Sequence, residues 1–274
     1  MPLISSLQRN SSDPRLHSSR FPSVPQTIRN AALTDCINYN TDFSVENDGW
    51  VPFDTEGETF HRVSNGLQLD LLAPSENMRL IEEGTNLPYN KLSAKGATFA
   101  SSYYMLYGNV SATIRSSPVG GSITAFILMS DTGDEIDFEF LGGDPHTVQT
   151  NFFYAGEELF TINGGLHPVP GAAVFDDFHT YTLDWRPERM QWLVDGQVVR
   201  TKEKKDTCQM GVCKYPSSPA RVQFGLWDSS FDAGTAQWAK GPIDWWSNRG
   251  LSASALINHI QVKCDPEYNS IYVY

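Results

Sequence analysis

The sequence of 274 residues is poor in positive charge. It contains 20 Lys and Arg residues against 32 Asp and Glu residues, which gives a formal net charge of -12. Phosphate recognition depends on clusters of Lys and Arg, and the largest basic segment here is 202–205. These features exclude nucleic acid as the expected partner and favour a neutral polymer.

Cysteine is scarce but even in number. Cys36, Cys208, Cys213 and Cys264 permit three pairings. Cys208 and Cys213 bracket a short loop, whereas Cys36 and Cys264 flank almost the whole folded region, so we predict these two disulfides. A zinc site is the alternative, but the spacing does not match common zinc patterns and no His pair lies nearby. Disulfides favour an extracellular protein.

Long apolar runs are also missing. No window approaches the roughly 20 apolar residues of a membrane span, so none is expected. The first residues, MPLISSLQRNSSDPRLHSS, lack the apolar core of a signal peptide. The prediction of an extracellular location therefore assumes that a signal has been removed.

Motifs for common cofactors are absent. The sequence has no GxSxG, GxGxxG or phosphate-binding P-loop pattern, and its six His residues show no metal-ligand spacing. His179 is expected to be a strand or turn residue rather than a base. We predict neither a cofactor nor a metal.

Two regions of different composition divide the chain. Residues 1–33 are rich in Ser, Pro, Arg and Asn and have few apolar anchors, which predicts a flexible N-terminal leader. From residue 34 to 274 the pattern is one of short alternating runs separated by turn residues, without long helical periodicity. We expect a single all-β domain there.

Two dipeptides predict β-hairpins with type I′ turns, Asn65-Gly66 and Asp195-Gly196, because both residues of such a turn need positive φ. Further strands are predicted at 108–115, 122–129, 134–141, 148–155, 178–185, 221–228 and 255–264. Many antiparallel strands in one chain of this size predict two packed sheets, a β-sandwich of jelly-roll type.

One predicted strand carries three acids. In GDEIDFEF, residues 133–140, the two-residue period places Glu135, Asp137 and Glu139 on one face, whereas the other face is apolar. Burial of the apolar face would fix the register that delivers the acids to the opposite surface. A solvated acidic sheet face is the alternative, but acids are poor strand formers and three in consecutive same-face positions are unusual.

Such a row suits general acid catalysis, because like charges close together hold a proton more tightly. Same-face Cβ atoms repeat about every 6.7 Å, so those of Glu135 and Glu139 are about 13 Å apart. If the side chains lean inward, their carboxyl groups come within about 5 to 6 Å, close to the ~5 to 5.5 Å of retaining glycosidases.

The segment DEIDFEFLGG at 134–143 resembles the active-site strand of glycoside hydrolase family 16. It shows the form of the family pattern without the optional extra bulge residue, and in this it resembles xyloglucan endotransglycosylases and fungal Crh-type cell-wall transglycosylases more than bacterial lichenases. The resemblance covers most of 36–264 and continues in VQTNFFY, HPV, FHTYTLDW, VDGQVVRT, RVQFGLWD and GTAQWAKGPIDW. HPV and the last segment are most similar to the Crh-type group.

The resemblance implies a concanavalin A-like jelly roll with a substrate cleft on its concave sheet. It implies Glu135 as the nucleophile, Glu139 as the general acid and then base, and Asp137 as the residue that tunes the nucleophile. The implied activity is retaining transglycosylation of chitin and β-glucan in the extracellular space or cell wall, with donor and acceptor sugars as partners.

A polysaccharide cleft needs aromatic platforms and neutral hydrogen-bonding groups. Gln149 and Asn151 share a face of the strand after the acids, and Trp227 and Trp238 lie in segments that resemble family subsites. We predict these four residues to bind substrate; ordinary surface or packing roles are the alternative. Trp185 and Trp192 lie within regular strand patterns and are expected in the core. Phe152, Tyr154 and Arg115 are left without an assigned role.

Two other functions compete with transglycosylation. A plain endo-β-1,3(4)-glucanase would use the same acids but pass the glycosyl group to water. A lectin would bind sugar through the same fold without using the acids, because a fold does not determine function. We expect a monomer, since the cleft must admit a polymer.

Overall fold

The computed structural model describes residues 34–53, 58–157, 159–246 and 253–272. The predicted leader, residues 1–33, lies outside these ranges. The strands of the first half are Thr34–Ile37 (β1), Asn40–Asp42 (β2), Trp50–Pro52 (β3), Phe60–Val63 (β4), Gly66–Asp70 (β5), Arg79–Ile81 (β6), Pro88–Asn90 (β7), Thr98–Ser101 (β8), Gly108–Arg115 (β9), Ser122–Ser130 (β10) and Glu135–Leu141 (β11).

The remaining strands are Thr147–Phe153 (β12), Gly165–Pro168 (β13), His179–Trp185 (β14), Arg189–Val194 (β15), Gln197–Glu203 (β16), Cys208–Gln209 (β17), Val212–Cys213 (β18), Ala220–Asp228 (β19), Ser254–Cys264 (β20) and Asn269–Tyr272 (β21). The helices are Phe160–Asn163 (α1), Ala233–Trp238 (α2) and a 3-10 turn, Lys204–Thr207. No helix in the described part has the length and apolar character needed to cross a bilayer.

Two large antiparallel sheets dominate the fold, as predicted. One has the order β13-β12-β11-β10-β19-β8-β3 and contains the acidic strand, and we call it the acidic sheet. The other has the order β16-β15-β14-β9-β20-β5-β4, with β2 paired to β20, and we call it the opposite sheet. Three small pairs complete the described residues: β6-β7, β17-β18 and the parallel pair β1-β21.

All seven of the strands predicted from alternation outside the two hairpins are present, with ends that differ from the prediction by at most two residues. Both predicted hairpins are present too. At Asp195-Gly196 the φ values are 47° and 78° and Val194 pairs with Gln197, which confirms the type I′ turn.

The type I′ turn predicted at Asn65-Gly66 is wrong. Val63 pairs with Gly66, so the two central residues are Ser64 and Asn65, and neither has positive φ. Gly66 itself starts β5 with a φ of 140°, and a Cβ there would lie 2.3 Å from the carbonyl oxygen of Ile257 on β20. Glycine is therefore favoured at this position for two reasons, the positive φ directly after the turn and the close approach of β20.

The hydrophobic core lies between the two sheets. Phe138 and Phe140 point from the acidic strand towards Tyr181 of β14, and ring centroids of 5.5 Å and 4.5 Å join them to that tyrosine. Trp185 and Trp192 are 1% and 0% exposed, which confirms their predicted place in the core.

Both predicted disulfides are present. Cys36 pairs with Cys264, which joins β1 to the end of β20, and Cys208 pairs with Cys213 across the β17-β18 hairpin. The first bond spans 228 residues of sequence and the second spans five. Together they account for all four cysteines.

Candidate active site

The acidic strand β11 separates its side chains by polarity, as its alternation predicts. Ile136 and Phe138 are 2% and 0% exposed and belong to the core between the sheets. Glu135 and Glu139 are partly exposed on the other face, whereas Asp137 between them is only 2% exposed. The face is therefore not an evenly solvated acidic surface, because its central carboxyl group is buried.

Strand β11 runs without a bulge from Glu135 to Leu141 against its neighbour β10. Glu135 lies opposite Met129, Asp137 opposite Ile127, and Glu139 opposite Ala125. Continuity of the register keeps all three acids on one face, since an inserted residue would shift part of the strand by one position. This agrees with the bulge-free form of the motif.

The residues beside Glu139 on the next two strands, β10 and β19, have small side chains or none. Its β10 neighbour is Ala125, and the next strand places Gly225 opposite Ala125. A Cβ on Gly225 would lie 2.6 Å from Oγ1 of Thr98, so the approach of β8 also excludes a larger side chain there. On the β10 side of Glu139 this row therefore presents only the methyl group of Ala125 and the backbone of Gly225.

The electrostatics of the row favour a protonated carboxyl group. Burial raises the pKa of Glu139, and the charge of Asp137 raises it further, to about 8. Burial also raises the pKa of Asp137, although the backbone N–H of Asn151 and the Arg200 guanidinium act in the opposite direction. Glu139 is thus suited to hold a proton near neutral pH, as a general acid requires.

The backbone of Asp137 is held from the far sheet. Trp192 on β15 donates its Nε1 hydrogen to the carbonyl oxygen of Asp137 at 2.9 Å. Arg200 on β16 lies over the Trp192 ring, 4.5 Å from its centroid, and donates to the backbone and hydroxyl oxygens of Thr150 at 3.0 and 2.8 Å. Sequence reasoning placed Trp192 in the core but missed this contact and Arg200, because both depend on the packing of the two sheets.

Three of the four predicted substrate-binding residues form one cluster. Trp238 donates its Nε1 hydrogen to Oε1 of Gln149 at 3.0 Å, and the rings of Trp227 and Trp238 lie 6.3 Å apart at 27°. Both tryptophans are half-buried, and we call them, with Gln149, the tryptophan platform. Gln149 pairs with Glu139 across β12 and β11, which places the platform next to that acid.

A small second hydrophobic cluster supports the tryptophan platform. Ile123, Leu141 and Ala239 are buried together, and both tryptophans pack against them. Helix α2 carries Trp238 and is capped at its N-terminus by Asp232, whose side chain accepts the backbone N–H of Thr235 at 2.9 Å. Ser, Thr, Asp and Asn are the usual residues at this capping position. A short capped helix therefore brings Trp238 over the end of β11.

Asn151, the fourth predicted residue, is placed differently. It pairs with Asp137 across the two strands and is 8% exposed, and its side-chain oxygen accepts the N–H of Phe152. It adjoins the central acid rather than the platform. Its burial favours a role in fixing Asp137 over direct exposure to a polymer.

The residues left unassigned are also resolved. Phe152 is in the core, and Tyr154 is partly exposed just after β12. Arg115 belongs to the opposite sheet, where it lies 5.7 Å from the centroid of Phe178. His179 is a strand residue in that same sheet and contacts Asp195 through Nδ1 at 2.7 Å, so it does not adjoin the acids.

Comparison with known proteins agrees with the geometry. The family model of glycosyl hydrolases family 16 matches residues 56–247. Crh-like protein 2 of Aspergillus fumigatus is 42% identical over 170 residues, which cover 60% of this chain and 38% of that protein. The chain spans less than half of the length of the curated relatives it matches.

Solved structures share the fold. A Crh5 transglycosylase in complex with NAG superposes with a TM-score of 0.66 and 26% identity, over 84% of this chain and 85% of that one. A Bacillus licheniformis β-glucanase reaches a TM-score of 0.64 at 22% identity, over 83% and 98% of the two chains, and this shows the jelly-roll fold alone. The chain belongs to glycosyl hydrolase family 16.

Proposed function

We propose that this chain is a retaining transglycosylase of β-linked cell-wall polysaccharide, with residues 34–274 as one catalytic domain. The observation that carries the proposal is the arrangement of β11, where two partly exposed glutamates flank a buried aspartate on one face. Membership of family 16 and the likeness to a Crh5 transglycosylase support it.

In the first step Glu139 protonates the oxygen of the leaving sugar while Glu135 attacks the anomeric carbon. The glycosidic bond breaks, and the donor sugar becomes covalently attached to the Glu135 carboxylate. Burial and the charge of Asp137 raise the pKa of Glu139, which keeps its proton available for this step. The leaving sugar departs with that proton.

In the second step Glu139, now ionised, removes a proton from a hydroxyl of the acceptor sugar. The acceptor oxygen attacks the anomeric carbon, displaces Glu135 and restores the original configuration. Water in place of the acceptor would give hydrolysis, the outcome for an endo-β-1,3(4)-glucanase. The tryptophan platform favours the sugar, because its rings suit a pyranose face and lie next to Glu139.

Asp137 is proposed to tune this pair rather than to react. Its carboxyl group is buried, and its backbone carbonyl is fixed by Trp192. Asn151 fixes it from the neighbouring strand, and Gln149, Trp227 and Trp238 bind the sugar beside the scissile bond. No step requires a cofactor.

Chitin and β-glucan are the proposed polymers. The likeness to a transglycosylase solved with NAG, a sugar of the kind that forms chitin, supports a chitin donor. Two disulfides support an extracellular or cell-wall location. The protein is proposed to act as a monomer on oligosaccharide donors and acceptors.

The test uses a chito-oligosaccharide donor and a fluorescently labelled laminari-oligosaccharide acceptor. We expect labelled products longer than the acceptor, and mass spectrometry of the quenched enzyme should find a glycosyl group on Glu135. Glu135→Gln should abolish both. Donor cleavage without any lengthened labelled product would instead identify a hydrolase. If the wild type bound the sugars without cleaving them, and Glu135→Gln bound them equally well, the protein would be a lectin.

A further inference from the structure

Asp134, the residue directly before Glu135, is buried and 3% exposed. Its carboxylate accepts three backbone N–H groups. Oδ1 accepts from Ala155 at 2.9 Å, and Oδ2 accepts from Ser217 at 2.8 Å and from Ser218 at 3.0 Å. A buried carboxylate is costly unless such donors satisfy it, so these contacts form one unit.

The backbone of Asp134 is held as firmly as its side chain. Its N–H donates to Oγ of Ser130 at 2.8 Å, and its carbonyl oxygen accepts the N–H of Ser130 at 2.9 Å. One residue earlier, the carbonyl of Gly133 accepts the N–H of Gly156 at 2.9 Å. A Cβ on Gly133 would lie 2.6 Å from that nitrogen, so the two turns meet at backbone distance.

The three segments joined by Asp134 adjoin three strands of the acidic sheet. Strand β11 begins at Glu135, the turn with Ala155 follows β12, and Ser217 and Ser218 precede β19. Glu135 is therefore the residue of β11 next to this junction. That residue carries the nucleophile in the proposed mechanism.

We propose that Asp134 is a positioning residue for Glu135: by binding three backbone N–H groups, it fixes the start of β11 relative to β12 and β19. This inference rests on the proposed role of Glu135 as nucleophile. Asp134 itself touches no reacting atom. The tryptophan platform contacts β11 near Leu141, at the other end of the strand, and is independent of this junction.

The test is Asp134→Asn. The amide has the same shape, but its NH2 group is a donor that faces backbone donors, so at least one segment must separate from the junction. We expect kcat for transfer from a chito-oligosaccharide to a labelled laminari-oligosaccharide to fall at least tenfold, because small displacements of reacting groups are costly. KM for both sugars should stay within twofold.

Two further variants serve as comparisons. Asp70→Asn removes a buried carboxyl group from the opposite sheet, where it accepts from Gln68 and Ser254, and should leave kcat within twofold. Asp134→Glu retains the charge and acceptors but displaces them by one methylene, and its kcat should be less than half of the wild-type value but above that of Asp134→Asn. It serves for the same measurement if the Asn variant does not accumulate as folded protein.

All rates are divided by the concentration of folded enzyme, measured by circular dichroism. A purely structural role would lower the amount of folded protein and leave kcat per folded molecule within twofold of the wild type, and that result in either Asp134 variant would overturn the inference. Glu135→Gln is assayed in parallel. If that variant stays active, the proposed nucleophile is wrong, whatever Asp134→Asn does.

Discussion

Glu139 and Asp137 lie two positions apart on one strand face, and their proton affinities are linked. Burial contributes most to the raised pKa of Glu139, and the Asp137 charge adds to it. The proposed reaction needs Glu139 protonated at the outset. Its pKa is raised to about 8, so activity should be lost as the pH rises through that value.

Asp137→Asn should therefore move the alkaline limb of the pH–rate profile to lower pH. The substitution removes the neighbouring negative charge but leaves the burial, so the pKa of Glu139 should fall towards the ordinary Glu value without reaching it. The pH dependence of kcat and NMR titration of carboxyl-labelled glutamate measure the change. An alkaline limb at the wild-type position would show that the Asp137 charge does not act on Glu139.

The same substitution should stabilise the protein at neutral and alkaline pH. Asp137 has a folded-state pKa raised from 3.8 to about 7, so the folded chain binds more protons than the unfolded chain between these values. Wild-type stability must then fall as pH rises through this window, whereas the neutral amide has no such dependence. We expect the free energy of unfolding of Asp137→Asn to exceed that of the wild type by at least about 1 kcal/mol at pH 8.

Urea unfolding at pH 4 and pH 8 tests this expectation, because the difference between the two proteins should shrink as pH falls. Asp134→Asn is a suitable contrast. Its carboxylate is satisfied by three backbone N–H groups, so its loss should be destabilising. A loss of stability in Asp137→Asn at pH 8, like that expected for Asp134→Asn, would contradict the prediction.

At the level of single residues, alternation was sufficient to place the three acids on one face. It could not show how deep each acid lies. The burial of Asp137 depends on neighbours such as Asn151, and its electrostatics depend on Arg200, which is 63 positions later in the chain. A single sequence carries no direct signal for such contacts between sheets.

Helix α2 and strand β12 meet through the hydrogen bond from Trp238 to Gln149. Trp238→Phe keeps an aromatic ring but removes the donor, which should release the Gln149 amide. We expect KM for the sugar acceptor to rise about three- to tenfold, in line with the loss of one hydrogen bond of about 1 kcal/mol, with little change in kcat.

Trp246→Phe is the matched control for this prediction. Trp246 is 59% exposed and lies after α2, outside the tryptophan platform, so the same exchange of rings should leave both constants unchanged. Steady-state kinetics with varied acceptor concentration distinguishes the two variants. A fall in kcat for Trp238→Phe without a change in KM would contradict its role in acceptor binding.

Among the elements, the long strands were predictable and the short ones were not. Strands such as β10 and β19 are long enough to show apolar residues at every second position. Strands β3, β7 and β13 have only three or four residues, which are too few to show this two-residue period. Helix α2 was missed because six residues do not reveal helical periodicity. The type I′ turn predicted at Asn65-Gly66 is wrong because the dipeptide does not reveal the register of β4 and β5, which makes Ser64 and Asn65 the turn residues.

At the scale of the whole molecule, two disulfides close loops of very different size. Cys36–Cys264 spans 228 residues and ties β1 to β20, whereas Cys208–Cys213 spans five and closes one hairpin. Disulfides stabilise mainly by restricting the unfolded chain, and the effect grows with the logarithm of loop length. The two bonds should therefore contribute unequally to the free energy of unfolding.

We expect the double variant Cys36→Ser with Cys264→Ser to lose about 5 kcal/mol of unfolding free energy, and Cys208→Ser with Cys213→Ser to lose about 2 kcal/mol. Urea unfolding of the two variants and the wild type at one pH measures both. Each variant is the control for the other, because each replaces two cysteines and leaves one disulfide. Equal losses would mean that strain or residual structure in the unfolded chain outweighs loop length, and the large loop would then not be the main covalent restraint on this sandwich.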